Sequence, residues 1–294
     1  RSAGGHPHPH GRRRRRGALA HQPVQCYAKI ESTARGWRAP QQVARLPTQC
    51  ESDFVMQRAQ SSFGGPRPHV LAARERLEQG RQKLRERHAR GASGAKICRE
   101  LTALYDEILV DFYDRALADF EQSGAPPLAS QTALVAHGGY GRSEVAPFSD
   151  VDVMLLHTGS VEKRMPDIAQ RLIQDLSDVG FSTGLNCHTA VSACQSALAD
   201  SRVCSSFIES RFVAGNQALV MKFRRQFARR VRRRRRALAT ELLASRRSER
   251  SQYGETVYLL QPNVKRSRGG LRDLQMLRWW GFFYYGAADP ETLL

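Results

Sequence analysis

One stretch of the chain, residues 133–157, constrains the fold more than any other. A short run of β-forming residues leads into Gly138-Gly139, and a second β-forming run opens with Asp150 and Asp152. In an extended strand, side chains two residues apart point to the same face. The spacing therefore predicts that Asp150 and Asp152 present two carboxylates to one place.

Two carboxylates and a glycine turn suit the transfer of a phosphoryl-type group. Hard divalent cations such as Mg²⁺ prefer carboxylate and phosphate oxygens. Without a Cβ, the backbone at Gly138 and Gly139 can approach a triphosphate closely, and amides at a following helix start favour anions. Arg142 can add a bidentate phosphate contact. In the alternative interpretation, the glycines only form a turn and the aspartates only cap a strand, which requires both signals to coincide by chance.

The formal net charge of +18 is typical of chains with nucleic-acid, anionic-membrane or phosphate-rich partners. Much of it lies in two runs, Arg12–Arg16 and Lys222–Arg236, and not in one recognisable binding module, so the sequence does not favour a nucleic-acid partner. Two interpretations of Lys222–Arg236 stay open. It is either a solvated helix packed by an apolar seam of Phe223, Phe227 and Val231, or a surface for an acidic partner or nucleic acid.

The cysteines and the apolar runs predict a cytoplasmic location. Six cysteines are present and none forms a Cys-x-x-Cys pair, which suits a reducing compartment better than a disulfide scaffold or a zinc site. No apolar run reaches the length of a membrane span. The basic N-terminal region lacks the apolar segment of a secretory signal. A membrane partner is therefore not expected.

Composition divides the 294 residues into four predicted parts. Residues 1–66 are rich in Gly, Pro, His, Arg, Gln and Ser, which predicts a disordered basic tail. Residues 67–128 have helical spacing, 129–220 mix strands with helices, and 221–294 return to a helical pattern. The predicted fold class is α+β, with a small mixed β-sheet core flanked by helices and helical segments before and after it.

Periodicity also predicts the individual elements of the second half. Strands are predicted over 133–137, 151–157 and 184–191, and helices over 165–180, 193–200 and 201–216. One long basic helix is predicted over 222–254, and a last helix begins near Leu271.

Three blocks of sequence resemble one known family. Residues 138–156, GGYGRSEVAPFSDVDVMLL, resemble the nucleotidyltransferase signature of the bacterial PII-uridylyltransferase/uridylyl-removing enzymes, which belong to the DNA polymerase β-type nucleotidyltransferase superfamily. Residues 205–216, SSFIESRFVAGN, resemble the family's Glu-Ser-Arg segment. Residues 261–280, QPNVKRSRGGLRDLQMLRWW, resemble its Gly-Gly-Leu-Arg-Asp block. The blocks follow the family's order, and the resemblance covers about residues 68–294.

This resemblance implies transfer of UMP from UTP to a tyrosine hydroxyl of the signalling protein PII, with release of pyrophosphate and with Mg²⁺ as cofactor. It makes residues 129–220 the nucleotidyltransferase core, with Asp150 and Asp152 as catalytic residues and metal ligands. Residues 265–273 of the third block are expected to contribute helical packing and contacts on the nucleotide side. The residues implied to bind the nucleotide are Gly138, Gly139, Arg142 and Ser149.

The chain departs from the family pattern in one strand and in length. The superfamily often carries a third carboxylate on a later strand, but residues 184–191 contain none. Glu209 is the candidate replacement, with a charge network to Arg211 as an equal alternative, and His188 is a weaker candidate for a catalytic base. The family's His-Asp hydrolase domain and glutamine-sensing ACT domains would come later, so the chain is expected to be truncated before them.

Two other functions stay open on the sequence alone. One is a nucleotidyltransferase of the same superfamily with a different acceptor or nucleotide, which the two glycines and two aspartates do not exclude. The other is a non-catalytic basic interaction fragment, which the Lys222–Arg236 run would explain.

Overall fold

The computed structural model describes residues 66–121, 125–256, 258 and 260–292, and the predicted tail lies outside them except for Pro66. Helices α1 (Pro68–Ala89) and α2 (Gly94–Asp119) come first. The core follows, with α3 (Leu128–Gln131), β1 (Thr132–Ala136), α4 (Gly138–Gly141), β2 (Val151–His157), a 3₁₀ turn (Gly159–Arg164), α5 (Met165–Val179), β3 (Thr183–Thr189), α6 (Ala190–Ala199), α7 (Ser201–Ile208) and β4 (Arg211–Gly215). The chain ends with α8 (Gln217–Tyr253), α9 (Leu271–Tyr285) and a 3₁₀ turn (Pro290–Thr292).

The four strands form one mixed sheet in the order β3–β2–β1–β4. Strand β1 is antiparallel to both β2 and β4, whereas β2 runs parallel to β3. Parallel neighbours need a long crossover connection, and α5 supplies it here. The predicted α+β class, a small mixed sheet with helices around it and on both sides of it in sequence, is confirmed.

Strand β4 corrects one expectation. Helical spacing predicts a helix over residues 201–216, but α7 ends at Ile208 and Arg211–Gly215 is extended. This segment pairs with the edge of β1 that the three predicted strands would leave open. Long-range pairing of this kind does not appear in local periodicity, and it outweighs a local helical preference.

Helices cover both faces of the sheet. Because successive side chains of a strand point to opposite faces, each strand contributes residues to the core on either side. Leu134 and Val153 face the core formed with α1, α2 and α5. Val135 and Met154 face the core formed with α6, α7, α8 and α9. Because side chains alternate along β2, Asp152 lies on the second face, two residues from Met154.

The long basic helix is confirmed as α8, which has 37 residues and a length of about 55 Å at the usual helical rise. Its seam residues Phe223, Phe227 and Val231 are buried. The side chains of Arg229 and Arg232–Arg236 line an open groove on the outside of the helix. The apolar seam and an arginine surface therefore occur together on α8.

The structure also shows the state of four cysteines and whether any described helix could span a membrane. Cys98, Cys187, Cys194 and Cys204 are free thiols, and burial raises the pKa of Cys187 and Cys204 to about 12. In this part of the chain no helix combines the length and the apolar character needed to cross a bilayer.

Gly215 provides a test of the β4 pairing. It has a φ of +86°, and a Cβ there would lie 2.4 Å from the Tyr113 hydroxyl oxygen and 2.5 Å from the Thr132 carbonyl oxygen. We expect Gly215→Ala to lower the free energy of unfolding by about 3 kcal/mol or more, because conformational strain and overlap act together.

Gly91→Ala is the matched control for this test. Gly91 has a similar φ of +94°, but a Cβ there would meet nothing within 4 Å. We expect a loss of only about 1 kcal/mol at this position, measured by urea unfolding of both variants. Equal losses at the two positions would contradict the close approach of β4 to α2 and β1.

Candidate active site

Asp152 lies between two glycines. A Cβ at Gly138 would lie 3.1 Å from Asp152 Oδ2, and a Cβ at Gly184 would lie 3.0 Å from Asp152 Oδ1. Gly138 has a φ of +58°, which favours glycine over other residues, and Gly184 is the β3 residue in register with Asp152. The absence of both side chains leaves space at each carboxylate oxygen. The sequence pattern singled out Gly138 as a nucleotide-binding residue, and it assigned no role to Gly184.

Asp150 and Asp152 influence each other electrostatically. Asp152 is half-buried at the second position of β2, and Asp150 is exposed, one residue before the strand. Burial raises the pKa of Asp152, the negative charge of Asp150 raises it further, and the positive charge of Lys265 opposes the shift. A carboxylate under these influences is stabilised by a nearby cation.

The donor set around the aspartates is compatible with Mg²⁺. Among the described residues, no group of three or more His, Cys, Asp or Glu side chains is placed to hold a metal ion. Mg²⁺ is commonly held by one or two carboxylates together with substrate phosphates and waters. Asp150 and Asp152 therefore match the protein's share of such a site, and substrate would have to supply the remainder.

The glycine turn forms the one-turn helix α4 after β1, and its later glycine has a packing role. A Cβ at Gly141 would lie 2.0 Å from the carbonyl oxygen of Glu209, so the turn fits against the end of α7 only without a side chain there. At Gly139 the nearest atom to a Cβ would be an Arg142 side-chain nitrogen at 3.8 Å. At Gly139, unlike Gly141, a side chain would therefore meet no close contact.

Arg142 is held by two carboxylates. Its Nε donates to Glu144 at 2.6 Å, and its Nη1 donates to Glu209 Oε2. The other Glu209 oxygen accepts a hydrogen bond from Trp279 Nε1 at 3.0 Å. The Glu209 side chain is 1% exposed. Both of its oxygens have partners, so this carboxylate fixes the orientation of Arg142 and joins it to α9.

The charge network expected between Glu209 and Arg211 is absent from the described residues. Arg211 instead forms a two-pronged ion pair with Asp106 of α2, with distances of 2.8 and 3.0 Å. The chain changes from helix to strand between the two residues: Glu209 is the C-terminal cap of α7 and contacts Arg142 and Trp279, whereas Arg211 is the first residue of β4 and contacts α2.

Ser149 and His188 do not line the cavity that contains Asp152 and Arg142. The Ser149 hydroxyl accepts a hydrogen bond from the Ala146 backbone N–H at 3.2 Å, and its own N–H donates to the Ala146 carbonyl at 3.0 Å. It thus shapes the turn that leads to Asp150. His188 lies close to Ser192 Oγ, at 3.3 Å, and burial lowers its pKa.

A cavity of about 610 Å³ brings the three predicted blocks together. One wall comes from the sheet side, with the glycine turn, Arg142, Asp152 and the α7 residues that end at Glu209. The other wall comes from the last part of α8 and from residues 265–279. Its basic residues are Arg142, Arg202, Arg246, Lys265, Arg266 and Arg272, against the acidic residues Asp152, Glu209 and Glu249. The excess of positive charge suits a polyanionic ligand.

Sequence reasoning missed two parts of this cavity. Residues 242–253 of α8 line it, although the basic helix carried no motif. Ser206 also lines it, and its hydroxyl is 2.7 Å from His137 Nδ1; a Cβ at Gly138 would lie 3.1 Å from that hydroxyl. Burial lowers the pKa of His137 to about 4, so its ring is neutral at physiological pH.

The cavity is lined by the glycine turn and Asp152, whereas Asp150 lies one residue before the same strand and outside the lining. A mixed sheet with this arrangement is compatible with a nucleotidyltransferase, and comparison with known proteins agrees. Residues 78–207 match the family model described as "Putative nucleotidyltransferase DUF294", and residues 222–294 match the one described as "GlnD PII-uridylyltransferase". The two matches correspond to the two walls of the cavity.

The curated relatives of this chain are also named as uridylyltransferases. The chain is 33% identical over 231 residues to the bifunctional uridylyltransferase/uridylyl-removing enzyme of Erythrobacter litoralis, covering 78% of this chain and 25% of the relative. For the enzymes of that name from Caulobacter vibrioides and Burkholderia lata, identity is 29% and 32%, covering 75% and 74% of this chain and 24% of each relative. The chain spans about a quarter of the length of these relatives. It belongs to the PII-uridylyltransferase family.

Removing Glu209 should destabilise the fold strongly. Glu209→Ala leaves Arg142 Nη1 and the Trp279 N–H without an acceptor in a buried site, although Arg142 Nε keeps its ion pair with Glu144. We expect a loss of about 3 kcal/mol in the free energy of unfolding. The double variant Glu209→Ala/Arg142→Ala should lose at least about 1 kcal/mol less than the sum of the two single variants.

The exposed pair Asp111–Arg115, 3.0 Å apart on α2, is the control for that double-mutant cycle. We expect a coupling energy below about 0.5 kcal/mol there, because solvent screens the pair. Both cycles are measured by urea unfolding. Additive losses at Glu209 and Arg142 would show that the buried ion pair does not hold the turn to α7.

Proposed function

We propose that this chain carries nucleotidyl-transfer activity and moves UMP from UTP to a tyrosine hydroxyl of PII, releasing pyrophosphate. The cavity carries the proposal. It joins the Asp152 carboxylate, the glycine turn and a set of cationic side chains in one space, and its two walls come from the two segments that match family models.

Mg²⁺ is part of the proposal, with Asp150 and Asp152 as the residues that would hold it. When bound there with the nucleotide, the ion would neutralise negative charge on the phosphates. The support from this chain is that the residues beside both Asp152 oxygens, Gly138 and Gly184, carry no side chain, and that the negative charge of Asp150 acts on Asp152.

The other residues of the first wall would position the nucleotide. Gly138 and Gly139 allow the backbone to approach the phosphates, and Arg142, held rigidly by Glu144 and Glu209, offers a guanidinium of fixed orientation. The tyrosine oxygen would attack the α-phosphorus in line, so that the new P–O bond forms as the bond to pyrophosphate breaks. Glu209 supports this arrangement as a positioning residue and not as a third metal ligand.

Uridylyl transfer and PII as acceptor rest on the family. The relatives' names specify uridylyl transfer, and the matching family description names PII. The residues that match this family model include 265–279 of the second wall, which supports the same substrates for this chain. A nucleotidyltransferase with another acceptor is the alternative that the first experiment addresses.

The test is transfer of labelled UMP from UTP to purified PII in the presence of Mg²⁺. We expect the wild-type chain to label PII, and Asp152→Asn to lower the rate by about a hundredfold or more, because the isosteric amide lacks the charge that binds a cation. Asp167→Asn, in the first turn of α5, should retain activity.

Two results would count against this proposal. Equal labelling by wild type and Asp152→Asn would remove Asp152 from the chemistry. Labelling that ATP, CTP or GTP supports as well as UTP, or that occurs equally on PII lacking its acceptor tyrosine, would favour the alternative with a different nucleotide or acceptor.

A further inference from the structure

The loop between α8 and α9 is locked by its own side chains. Asn263 Oδ1 accepts hydrogen bonds from the backbone N–H groups of Lys265, at 3.1 Å, and Arg266, at 2.8 Å. In return, the Asn263 N–H donates to the Ser267 hydroxyl at 2.7 Å. Asparagine stabilises a tight turn in this way, and the turn fixes the backbone on either side of Lys265.

The two glycines of the third block close this loop onto α9. Gly269 has a φ of +77°, and a Cβ at Gly270 would lie 2.7 Å from the Val264 carbonyl oxygen. The first two backbone N–H groups of α9, at Leu271 and Arg272, donate to the carbonyls of Val264 and Lys265, each at 2.9 Å. The Lys265 backbone is therefore fixed to the start of α9.

A buried arginine ties the same loop to α8. Arg246 is 4% exposed, and it donates to the carbonyls of Arg266 and Ser267 at 2.7 and 3.0 Å and to Asp273 at 2.7 Å. Although burial acts in the opposite direction, hydrogen bonds from Arg246 and Arg250 lower the pKa of Asp273 to about 2. These contacts hold residues 263–273 in the arrangement that places Lys265 at the cavity.

The cations of the second wall differ in whether they have partners. Arg266 lies over the Tyr253 ring, 4.7 Å from its centroid, and contacts Glu249 at 3.5 Å. Arg272 lies over the Trp279 ring at 5.4 Å and donates to Gln275 at 3.0 Å. For the Lys265 ammonium, no hydrogen bond or ion pair occurs within the described residues.

The surroundings of Lys265 favour an anion. Although the Lys265 residue is exposed overall, partial burial at the cavity lowers its pKa. The positive charges of Arg272, Arg266 and Arg142 lower this pKa further, and the charge of Asp152 opposes the shift. A cation without a partner, placed among three others, is stabilised when a polyanion enters. Lysine serves as such a point charge toward phosphate.

We propose that Lys265 binds the β- and γ-phosphates of the nucleoside triphosphate, on the opposite side of the cavity from the glycine turn. This assignment rests on the proposed function and extends it, because it gives the α8–α9 loop a direct contact with the part of the nucleotide that leaves as pyrophosphate. The rigid loop, the partnerless ammonium group and the surplus of positive charge all favour the same ligand.

The experiment compares binding of UTP and UMP, each with Mg²⁺ and without PII, by calorimetry. We expect Lys265→Ala to weaken UTP binding about tenfold and UMP binding by less than about twofold, since UMP lacks the β- and γ-phosphates. Lys265→Arg, which keeps the charge, should recover most of the UTP affinity. Arg268→Ala, an exposed cation of the same loop outside the cavity, should bind like wild type.

The outcomes separate this inference from the proposed function. If wild type binds no UTP, the proposed function fails and the Lys265 contact with it. If wild type binds UTP but Lys265→Ala binds it equally well, or loses UTP and UMP affinity equally, only the Lys265 assignment is overturned. A thermal unfolding midpoint close to wild type shows that the variant is folded, as expected for an exposed side chain.

Discussion

The buried ion pair between Arg142 and Glu209 is the interaction on which the rest of the site depends. It joins the turn after β1 to the end of α7, and the hydrogen bond from Trp279 extends the link to α9. Gly141 lets the two backbones come close enough for the pair to form. Since an ion pair this buried is costly to leave half-satisfied, its three partners hold one another in place.

Local patterns in the sequence were sufficient for the sheet's centre. The glycine turn between two β-forming runs predicted β1 and β2, but not that β2 begins at Val151 and leaves Asp150 just outside the strand. It did not predict β4, because pairing of Arg211–Gly215 with β1 is a long-range interaction that periodicity does not record. For the same reason, the partners of Glu209 could not be chosen from spacing: Arg211 is two residues away in sequence but on the other side of the sheet.

The second wall of the cavity also has features that could not be predicted from the sequence. Residues 265–273 were expected to contribute packing and nucleotide-side contacts. The packing is present, since Arg246 of α8 donates to the carbonyls of Arg266 and Ser267, and the nucleotide contacts stay a prediction. The spacing could not show which of the basic side chains in this segment have partners within the protein. Arg246 is used inside the loop, Arg266 and Arg272 rest on aromatic rings, and Lys265 alone of these four has no partner among the described residues.

The position of the cavity has a consequence for how this protein can be dissected. The residues of its first wall all precede residue 210, and those of its second wall all follow residue 240. The family matches at 78–207 and 222–294 therefore each contain about one wall of the cavity. A fragment cut between them would keep Asp150 and Asp152 but would expose Glu209 to water, and Glu209 would lose its hydrogen bond from Trp279. The smallest unit that preserves the compartment must therefore include both matched segments, and gene fusions or split reporters should be joined outside residues 138–279.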